Sequence, residues 1–303
     1  MKASRSRPAA RAAGALLAAV LASSPAAAVE PRAEAVVLNA VENMYSKPDA
    51  TADVVSQATL GEVVAILERS GGFLKIETPD RYPGWIPAGE VQEYPDAATP
   101  RYASGGTVAE VVGLMANVYR EPSVTTARPK AQAPLGTRLE VARGPAPKED
   151  WHEVVLPGGE SGYVQKGDVR LTEAGAKRRR GTPAEVVATA RRFLGAPYLW
   201  GGMTVHGVDC SGFVSRVFFV NGVDLLRDAD MQFEDPRGLA VGKDELRPGD
   251  LLFFGKESVT HVGLYEGDGR FIHATTHDAP VVQESRFADE PWPTLFLGAR
   301  RPR

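Results

Sequence analysis

Two stretches of the chain repeat each other in order, and this repeat restricts the possible folds more than any other feature of the sequence. The matching segments are NMYSKP (43–48) with NVYREP (117–122), ATLGEVVAI (58–66) with APLGTRLEV (133–141), GFLKI (72–76) with DWHEV (150–154), and GWI (84–86) with GYV (162–164). The spacing between the two members of a pair drifts only slowly along the chain. The sequence therefore predicts a duplicated domain.

Each copy consists of short runs of alternating apolar and polar residues, separated by Gly, Pro and Asp. This pattern is typical of a small β-barrel. The order of the motifs resembles bacterial SH3-like modules, which bind cell-wall peptides or position a neighbouring enzyme. We therefore predict module 1 at residues 33–98 and module 2 at residues 105–173, joined by the Pro- and Gly-rich connector YPDAATPRYASGG (94–106).

A second connector, EAGAKRRRGTP (173–183), separates module 2 from a different kind of sequence. Its basic run, Lys177–Arg180, is predicted to be solvated; contact with an anionic wall polymer is the alternative. Thr182 and Glu185 then form a capping box with proline at the first helical position, and Gly195 is a stop signal. A helix is therefore expected to begin at Pro183.

Cys210 is the single cysteine of the 303-residue chain. The run from Ser211 to Val220 is apolar on most faces, and Asn221-Gly222 ends it, so we predict a buried helix that begins at Cys210. The positive end of the helix dipole favours a thiolate there. Asp209 is a natural helix cap, which is the structural alternative to a functional role.

A nucleophilic thiol needs a base, and the segment THVGLYEGDGRFIHAT supplies two histidines on a predicted hairpin with its turn at GDG (267–269). Such a turn pairs Gly263 with His273, so His261 becomes a diagonal neighbour of His273 on the same face. We predict Cys210 as nucleophile, His261 as base and His273 as the residue that orients His261. The alternative for each histidine is a surface or strand-end position.

The N-terminus has the pattern of a secretory signal peptide, residues 1–28: a basic segment, the apolar run GALLAAVLA and an A-x-A site. An uncleaved anchor is the alternative. Cleavage would remove four positive charges and no negative ones, and so change the net charge from −3 to −7. We therefore predict an exported protein of the periplasm, cell wall or medium, with no membrane anchor after cleavage. Nucleic acid is not expected as a partner.

The segments PYLWGG, VDCSGF, LLRDADMQ, LRPGDLLFF and HVGLYEGDGRFIHA, in this order, resemble the NlpC-type cell-wall cysteine peptidase family. The resemblance covers about residues 182–300, within a predicted catalytic domain at 182–303. It implies two SH3-like β-barrels followed by an α+β papain-like domain. It also implies hydrolysis of the γ-D-glutamyl–diaminopimelate or γ-D-glutamyl–lysine bond of peptidoglycan stem peptides, with no metal or organic cofactor.

The resemblance assigns the triad roles to the same cysteine and histidines and adds substrate contacts. Tyr198 is similar to a tyrosine that approaches the scissile carbonyl, although a partly buried aromatic is the alternative. Asp209 is similar to a residue that binds the free amine of an N-terminal L-Ala, and Ser211 to one that contacts the D-Glu carboxylate. The loop Arg227–Asp230 is similar to one that lines the same pocket, with Asp228 as the candidate.

Relatives with two modules also use a tyrosine and a glutamate of the first module to close the site. Tyr82, in DRYPGW, is the candidate tyrosine. Lys47 stands in the YSKP loop where an acidic residue is expected, and Glu42 is the possible substitute. Two other functions are compatible with the sequence: a non-catalytic wall-binding protein, and another amidase or acyltransferase on the same fold.

Overall fold

The structure is a computed structural model that describes residues 33–126, 128–142 and 150–303. The predicted signal peptide, residues 1–28, lies outside the described residues. Within the described residues, no helix is both long enough and apolar enough to cross a membrane.

Module 1 is built from short antiparallel strands, as the alternating sequence predicts. Its strands are β1 (Glu34–Val37), β2 (Val41–Tyr45), β3 (Val54–Thr59), β4 (Val63–Ser70), β5 (Phe73–Glu77), β6 (Pro83–Pro87) and β7 (Val91–Glu93). They form a sheet in the order β3-β2-β6-β5-β4-β1-β7. Alternate side chains such as Met44, Leu74 and Ile86 point inward and make the core of the module.

Module 2 has the same strand order, as expected of a duplication. Its strands are β8 (Thr107–Val111), β9 (Met115–Tyr119), β10 (Pro129–Pro134), β11 (Arg138–Val141), β12 (Trp151–Val155), β13 (Ser161–Gln165) and β14 (Val169–Glu173). The described part forms a sheet in the order β10-β9-β13-β12-β11-β8-β14. The repeated glycines Gly61 and Gly136 have φ angles of 77° and 86°, a turn conformation that favours glycine in both copies.

The linker after module 2 is not fully solvated, and the prediction is wrong for Arg178. The side chain of Arg178 is only 14% exposed, and its Nε lies 3.2 Å from a carboxylate oxygen of Glu110. Its Nη2 donates to the carbonyl of Gly136 at 2.8 Å, and its guanidinium lies 3.9 Å from the ring centre of Phe219. Arg179 is 71% exposed, as predicted for the linker.

The C-terminal domain combines helices with an antiparallel sheet. Its elements are α1 (Pro183–Arg191), β15 (Met203–Thr204), β16 (Gly207–Val208), α2 (Cys210–Val220), α3 (Ala229–Glu234), β17 (Leu239–Val241), β18 (Leu251–Phe254), β19 (His261–Gly267), β20 (Arg270–Thr275), β21 (Val281–Arg286), α4 (Trp292–Leu295) and β22 (Phe296–Arg301). The larger sheet has the order β17-β22-β18-β19-β20-β21, and β15 pairs with β16 in a separate hairpin.

The helices begin where the sequence predicts. Thr182 and Glu185 cap α1 reciprocally, and Pro183 is its first residue. Asp209 caps α2, whose residues from Cys210 to Phe218 are buried. One face of the sheet packs against α1 and α2, and the other carries an aromatic cluster. Because α2 packs on this sheet, its first turn lies beside the start of β19.

Candidate active site

The thiol of Cys210 lies at the first turn of α2 and is 9% exposed. The backbone N–H groups of Ser211 and Val262 approach this thiol closely enough to act on its pKa, and both lower it. Since Val262 follows His261 directly on β19, these contacts bring the thiol to the strand that carries the first histidine. A Cβ on Gly212 would lie 2.2 Å from the carbonyl oxygen of Gly202, so a glycine is needed where the helix meets the preceding loop.

The two hairpin histidines form a hydrogen-bonded chain. The register Leu264–Ile272 places Gly263 opposite His273, as predicted. His261 Nε2 lies 2.7 Å from His273 Nδ1, and His273 Nε2 lies 3.0 Å from Ser285 Oγ. A donor order that satisfies both contacts runs from His261 Nε2–H to His273 Nδ1 and from His273 Nε2–H to Ser285. Nδ1 of His261 then carries no proton and can accept one.

Burial sets the protonation of all three groups. It raises the pKa of the Cys210 thiol to about 12, although the N–H groups of Ser211 and Val262 oppose the shift. Burial also lowers the pKa of His261 to about 4 and that of His273 to about 2. Burial thus favours the neutral form of the thiol and of both imidazoles at pH 7. This differs from the thiolate that the helix dipole alone predicts, because desolvation outweighs the dipole.

Trp292 and Phe254 hold the ring of His261 on the aromatic side of the sheet. The indole of Trp292 stacks on this imidazole, with centroids 5.6 Å apart and planes 29° apart, and Phe254 lies at 5.9 Å. Trp292 also meets the ring of His273 edge-on at 4.8 Å. These contacts cover the faces of the two rings and restrict their orientation.

Asp209 is occupied by contacts within the protein. Arg227 binds it with two bonds, Nη1 to Oδ1 at 3.0 Å and Nη2 to Oδ2 at 2.7 Å. Its oxygens also accept the N–H groups of Gly201 and Gly212 at 2.9 and 2.7 Å. Ser211 Oγ lies 3.3 Å from Asp209 and 3.0 Å from Arg227. Asp209 thus holds the start of α2, and its charge is already matched by a buried guanidinium.

Asp228 is more available, and module 1 reaches it. Tyr82 donates its hydroxyl to Asp228 Oδ2 at 2.9 Å across the domain boundary. Burial, followed by the charge of Asp228, raises the pKa of Tyr82 to about 12. Burial raises the pKa of Tyr198 to about 12 as well, and the nearby Cys210 and Asp209 act in the same direction. Both hydroxyls therefore remain proton donors at neutral pH.

Comparison with known proteins agrees with this arrangement. The NlpC/P60 family model matches residues 195–301, and a model described as the bacterial dipeptidyl-peptidase SH3 domain matches residues 44–90. The chain is 33% identical over 245 residues to gamma-D-glutamyl-L-lysine dipeptidyl-peptidase of Bacillus cereus, an alignment covering 75% of this chain and 68% of the relative. The chain belongs to the NlpC/P60 family of cysteine peptidases.

Other NlpC/P60 relatives support the domain arrangement. Dipeptidyl-peptidase 6 of Lysinibacillus sphaericus is 30% identical over 250 residues, which cover 80% of this chain and 87% of the relative. The crystal structure of an NlpC/P60 family protein from Bacillus cereus superposes with a TM-score of 0.77 at 24% identity, covering 88% of this chain and 99% of the other. Together with the two family models, this superposition confirms the predicted fold class, in which a mostly β SH3-like region precedes an NlpC/P60 domain.

Some predicted residues of this NlpC/P60 chain lie elsewhere. Glu42 accepts a hydrogen bond from Asn39 at 2.5 Å and lines a separate cavity of about 310 Å³ together with His206. The structure records no contact between Lys47 and the Tyr82–Asp228 pair among the described residues.

Sequence reasoning missed three residues that hold the NlpC/P60 site together. Arg227 was part of a candidate loop but received no role, and Ser285 and Gln57 were not considered. Arg227 is 1% exposed and also donates from Nε to Ser56 of module 1 at 2.9 Å. Gln57 accepts the N–H of Met203 at 3.0 Å. The position of Arg227 in the candidate pocket loop was the available signal for it; nothing local marked Ser285 or Gln57.

Proposed function

We propose that the protein is an exported endopeptidase that cleaves the γ-D-glutamyl bond to the diamino acid, lysine or diaminopimelate, in peptidoglycan stem peptides with a free N-terminal L-Ala. The observation that carries the proposal is the thiol of Cys210 beside β19, whose first residue, His261, lies 2.7 Å through Nε2 from Nδ1 of His273 on β20. The basic and apolar segments of residues 1–28 support export. Two relatives are named dipeptidyl-peptidases, and such enzymes release two residues from an amino terminus.

The mechanism starts from the neutral thiol of Cys210 and the neutral imidazole of His261. As the sulfur of Cys210 attacks the γ-carbonyl carbon of D-Glu, the thiol proton passes to Nδ1 of His261, and His273 accepts a hydrogen bond from the other ring nitrogen. The backbone N–H of Cys210 or Ser211 and the protonated hydroxyl of Tyr198 are the candidate donors to the oxyanion. His261 then protonates the departing amine, and water activated by the same ring releases the dipeptide.

Selection of a free amine is assigned to Asp228 together with Tyr82. The carboxylate of Asp209, the residue predicted for this role, has its oxygens occupied by Arg227 and by two backbone N–H groups. Asp228 accepts from Tyr82 and keeps oxygen lone pairs for a substrate ammonium. Burial raises the pKa of Asp228, and the charge of a bound ammonium would lower it again.

Defined peptides test the proposal. The full chain is incubated with L-Ala-γ-D-Glu-L-Lys, with its diaminopimelate counterpart and with the N-acetylated form of each, and the products are identified by mass spectrometry. We expect release of L-Ala-γ-D-Glu from a free-amine peptide. Cleavage of the N-acetylated forms should be slower by about 100-fold, because the buried carboxylate loses its ammonium partner.

Two variants separate the parts of this proposal. Cys210→Ala should remove all hydrolysis while leaving the thermal unfolding temperature near that of the wild type. Asp228→Asn should narrow the difference between free and acetylated peptides. Hydrolysis by Cys210→Ala would contradict the nucleophile, and equal cleavage of free and acetylated peptides by the wild type would contradict the amine selection.

A further inference from the structure

A cavity of about 300 Å³ lies where module 1, the linker and the peptidase domain meet. Gln57, Glu62 and Asp80 of module 1 form one side of it, and Arg216 and Phe219 of α2 form the other. All of its lining residues are described, and they include neither the histidine pair nor the Tyr82–Asp228 pair. The cavity is therefore separate from the site proposed for peptide hydrolysis.

Arg216 is a buried cation without a close acceptor. The residue is 5% exposed. Its Nη1 lies 3.5 Å from the carbonyl of Leu135, and its Nη2 lies 3.8 Å from Glu62. Among the described residues, its Nε has no hydrogen-bond partner. A guanidinium stays charged at any physiological pH, and burial of such a charge is costly unless oxygen acceptors surround it.

Glu62 does not complete the coordination of Arg216. Its two carboxylate oxygens already accept the N–H and the hydroxyl of Thr59 at 3.0 and 2.9 Å. Burial raises the pKa of Glu62, and the opposing effect of the Arg216 charge does not cancel that shift. Arg216 therefore keeps N–H donors without close acceptors, and the residue lines a cavity large enough for a small ligand.

The other walls of the cavity contribute apolar surface and two carboxylates. Met203 and Phe219 supply apolar surface, and the Arg216 guanidinium lies 5.2 Å from the ring centre of Phe219. Asp80 is half-buried, and Asp224 is exposed at the rim. The cavity thus presents two arginines, the buried Arg216 and the largely buried Arg178, with the carboxylates of Asp80 and Asp224 nearer to solvent. A ligand that carries both a carboxylate and an ammonium group matches this arrangement.

We propose that this cavity binds a small zwitterion of amino-acid size, with its carboxylate on Arg216 and its ammonium group toward Asp80 and Asp224. Two adjacent guanidinium N–H groups match the two oxygens of a carboxylate. A volume near 300 Å³ is at the lower end for small-molecule sites and suits an amino acid better than a peptide of several residues. The assignment does not depend on the reaction proposed above.

The test is a calorimetric titration of the full wild-type chain with L-lysine, D-alanine and meso-diaminopimelate. Propionate and propylamine, which each carry one of the two charges, serve as comparison ligands. We expect at least one of the amino acids to bind, with an affinity about tenfold or more above that of propionate or propylamine. Arg216→Met keeps the length of the side chain and removes the charge, and it should weaken that binding by about tenfold or more.

The control variants distinguish loss of the contact with the ligand from misfolding and from binding at another site. Arg216→Met should fold, because replacing a poorly paired buried charge by an apolar residue is often neutral or stabilising. Arg216→Lys tests whether a point charge suffices, and an intermediate affinity is expected. Arg237→Met removes an arginine that is 57% exposed and outside the cavity, and it should bind like the wild type.

Three results would overturn the assignment. The first is that none of the three amino acids binds the wild type. The second is equal affinity in Arg216→Met and the wild type. The third is loss of binding in Asp228→Asn with retention in Arg216→Met, which would locate the ligand in the peptidase cleft. Activity on stem peptides is not the readout, so failure here leaves the proposed hydrolysis standing.

Discussion

The two SH3-like modules share a strand order but contact the peptidase domain with different surfaces. One contact is common to both. Gln57 Nε2 donates to Asn43 at 3.0 Å, and the equivalent Gln132 Nε2 donates to Asn117 at 3.1 Å. In each module the glutamine oxygen then meets the β15–β16 hairpin, at Met203 N in module 1 and at His206 Nε2 in module 2.

The differences lie in the loops. Where module 1 has Tyr82, which reaches Asp228, the repeat offset places Glu160 in module 2, and Glu160 pairs with Lys130 on the surface. The turn at Gly136 instead packs on α2, where a Cβ would lie 3.0 Å from Phe219. Both modules keep the same sheet, while their loops differ: a loop of module 1 reaches the proposed peptide site at Asp228, and a turn of module 2 packs against the far end of α2.

The largest expected effect comes from Arg227→Met. This change removes the guanidinium that joins Ser56 of module 1 to Asp209, the cap of α2. Asp209 would remain buried without its cation, so we expect a loss of about 3–5 kcal/mol in unfolding free energy. Urea denaturation measures it, and kcat/KM should fall as well because the first turn of α2 loses its anchor. A variant that unfolds like the wild type would show that module 1 and the cap are energetically independent.

Glu110→Gln is the matched change in module 2. Glu110 is 3% exposed and pairs with Arg138, Arg170 and Arg178 at 2.9, 2.8 and 3.2 Å. The arginines keep some access to solvent, so the expected loss is about 2 kcal/mol. The kcat/KM of the folded protein should stay within about twofold of the wild type. A large loss of activity would mean that module 2 also shapes the peptide site.

Acid should destabilise the peptidase domain through His273. This residue is fully buried and its pKa is lowered to about 2, whereas an unfolded histidine titrates near 6.5. Below pH 6.5 the histidine is protonated in the unfolded chain but not in the folded one. The free energy of unfolding therefore decreases as the pH is lowered, by about 1.4 kcal/mol per pH unit for one such histidine. Urea midpoints at pH 7, 6 and 5 measure the slope, and His273→Gln should reduce it by about half, because His261, whose pKa is lowered to about 4, contributes over the same range.

Tyr82→Phe should act on recognition rather than on folding. Loss of the hydroxyl contact to Asp228 should lower kcat/KM on the free-amine tripeptide by about tenfold, mainly through KM. Glu160→Gln, at the equivalent place in module 2, should change kcat/KM by less than about twofold. Equal effects of the two variants would contradict the division of roles between the modules.

The smallest effects concern the shared glutamines. Gln57 is 8% exposed, and Gln57→Leu would leave the N–H of Met203 without its acceptor, at a cost of about 1–2 kcal/mol. Gln132→Leu breaks a more exposed contact and should cost less than about 0.5 kcal/mol. Thermal unfolding of the two variants side by side measures the difference. Equal costs would indicate that both modules hold the β15–β16 hairpin to the same degree.

Local signals predicted much of this molecule. The duplicated motifs predicted two modules of one strand order, the capping residues predicted where α1 and α2 begin, and the GDG turn predicted the register that brings His261 to His273. Each of these features depends on neighbours in the sequence or on a strict strand period, which a single sequence records directly.

Contacts between distant segments were not predictable in this way. Arg178 looked like part of a solvated basic run, but its partner Glu110 lies in module 2. Asp209 looked available to a substrate because its partner, Arg227, is recognisable only once the loop has folded over α2. The thiolate expected at the helix start also ignored desolvation, which depends on how β19 covers the sulfur.

The packing of the Gly136 turn bears on how a minimal catalytic fragment should be cut. The connector at 173–183 is the obvious truncation point, but a fragment starting there would leave bare the part of Phe219 that module 2 covers, and Arg216 would lose the carbonyl of Leu135. Such a fragment would expose apolar surface at the C-terminal end of α2, the helix that begins at Cys210. Expression and crystallisation trials should therefore retain the second barrel.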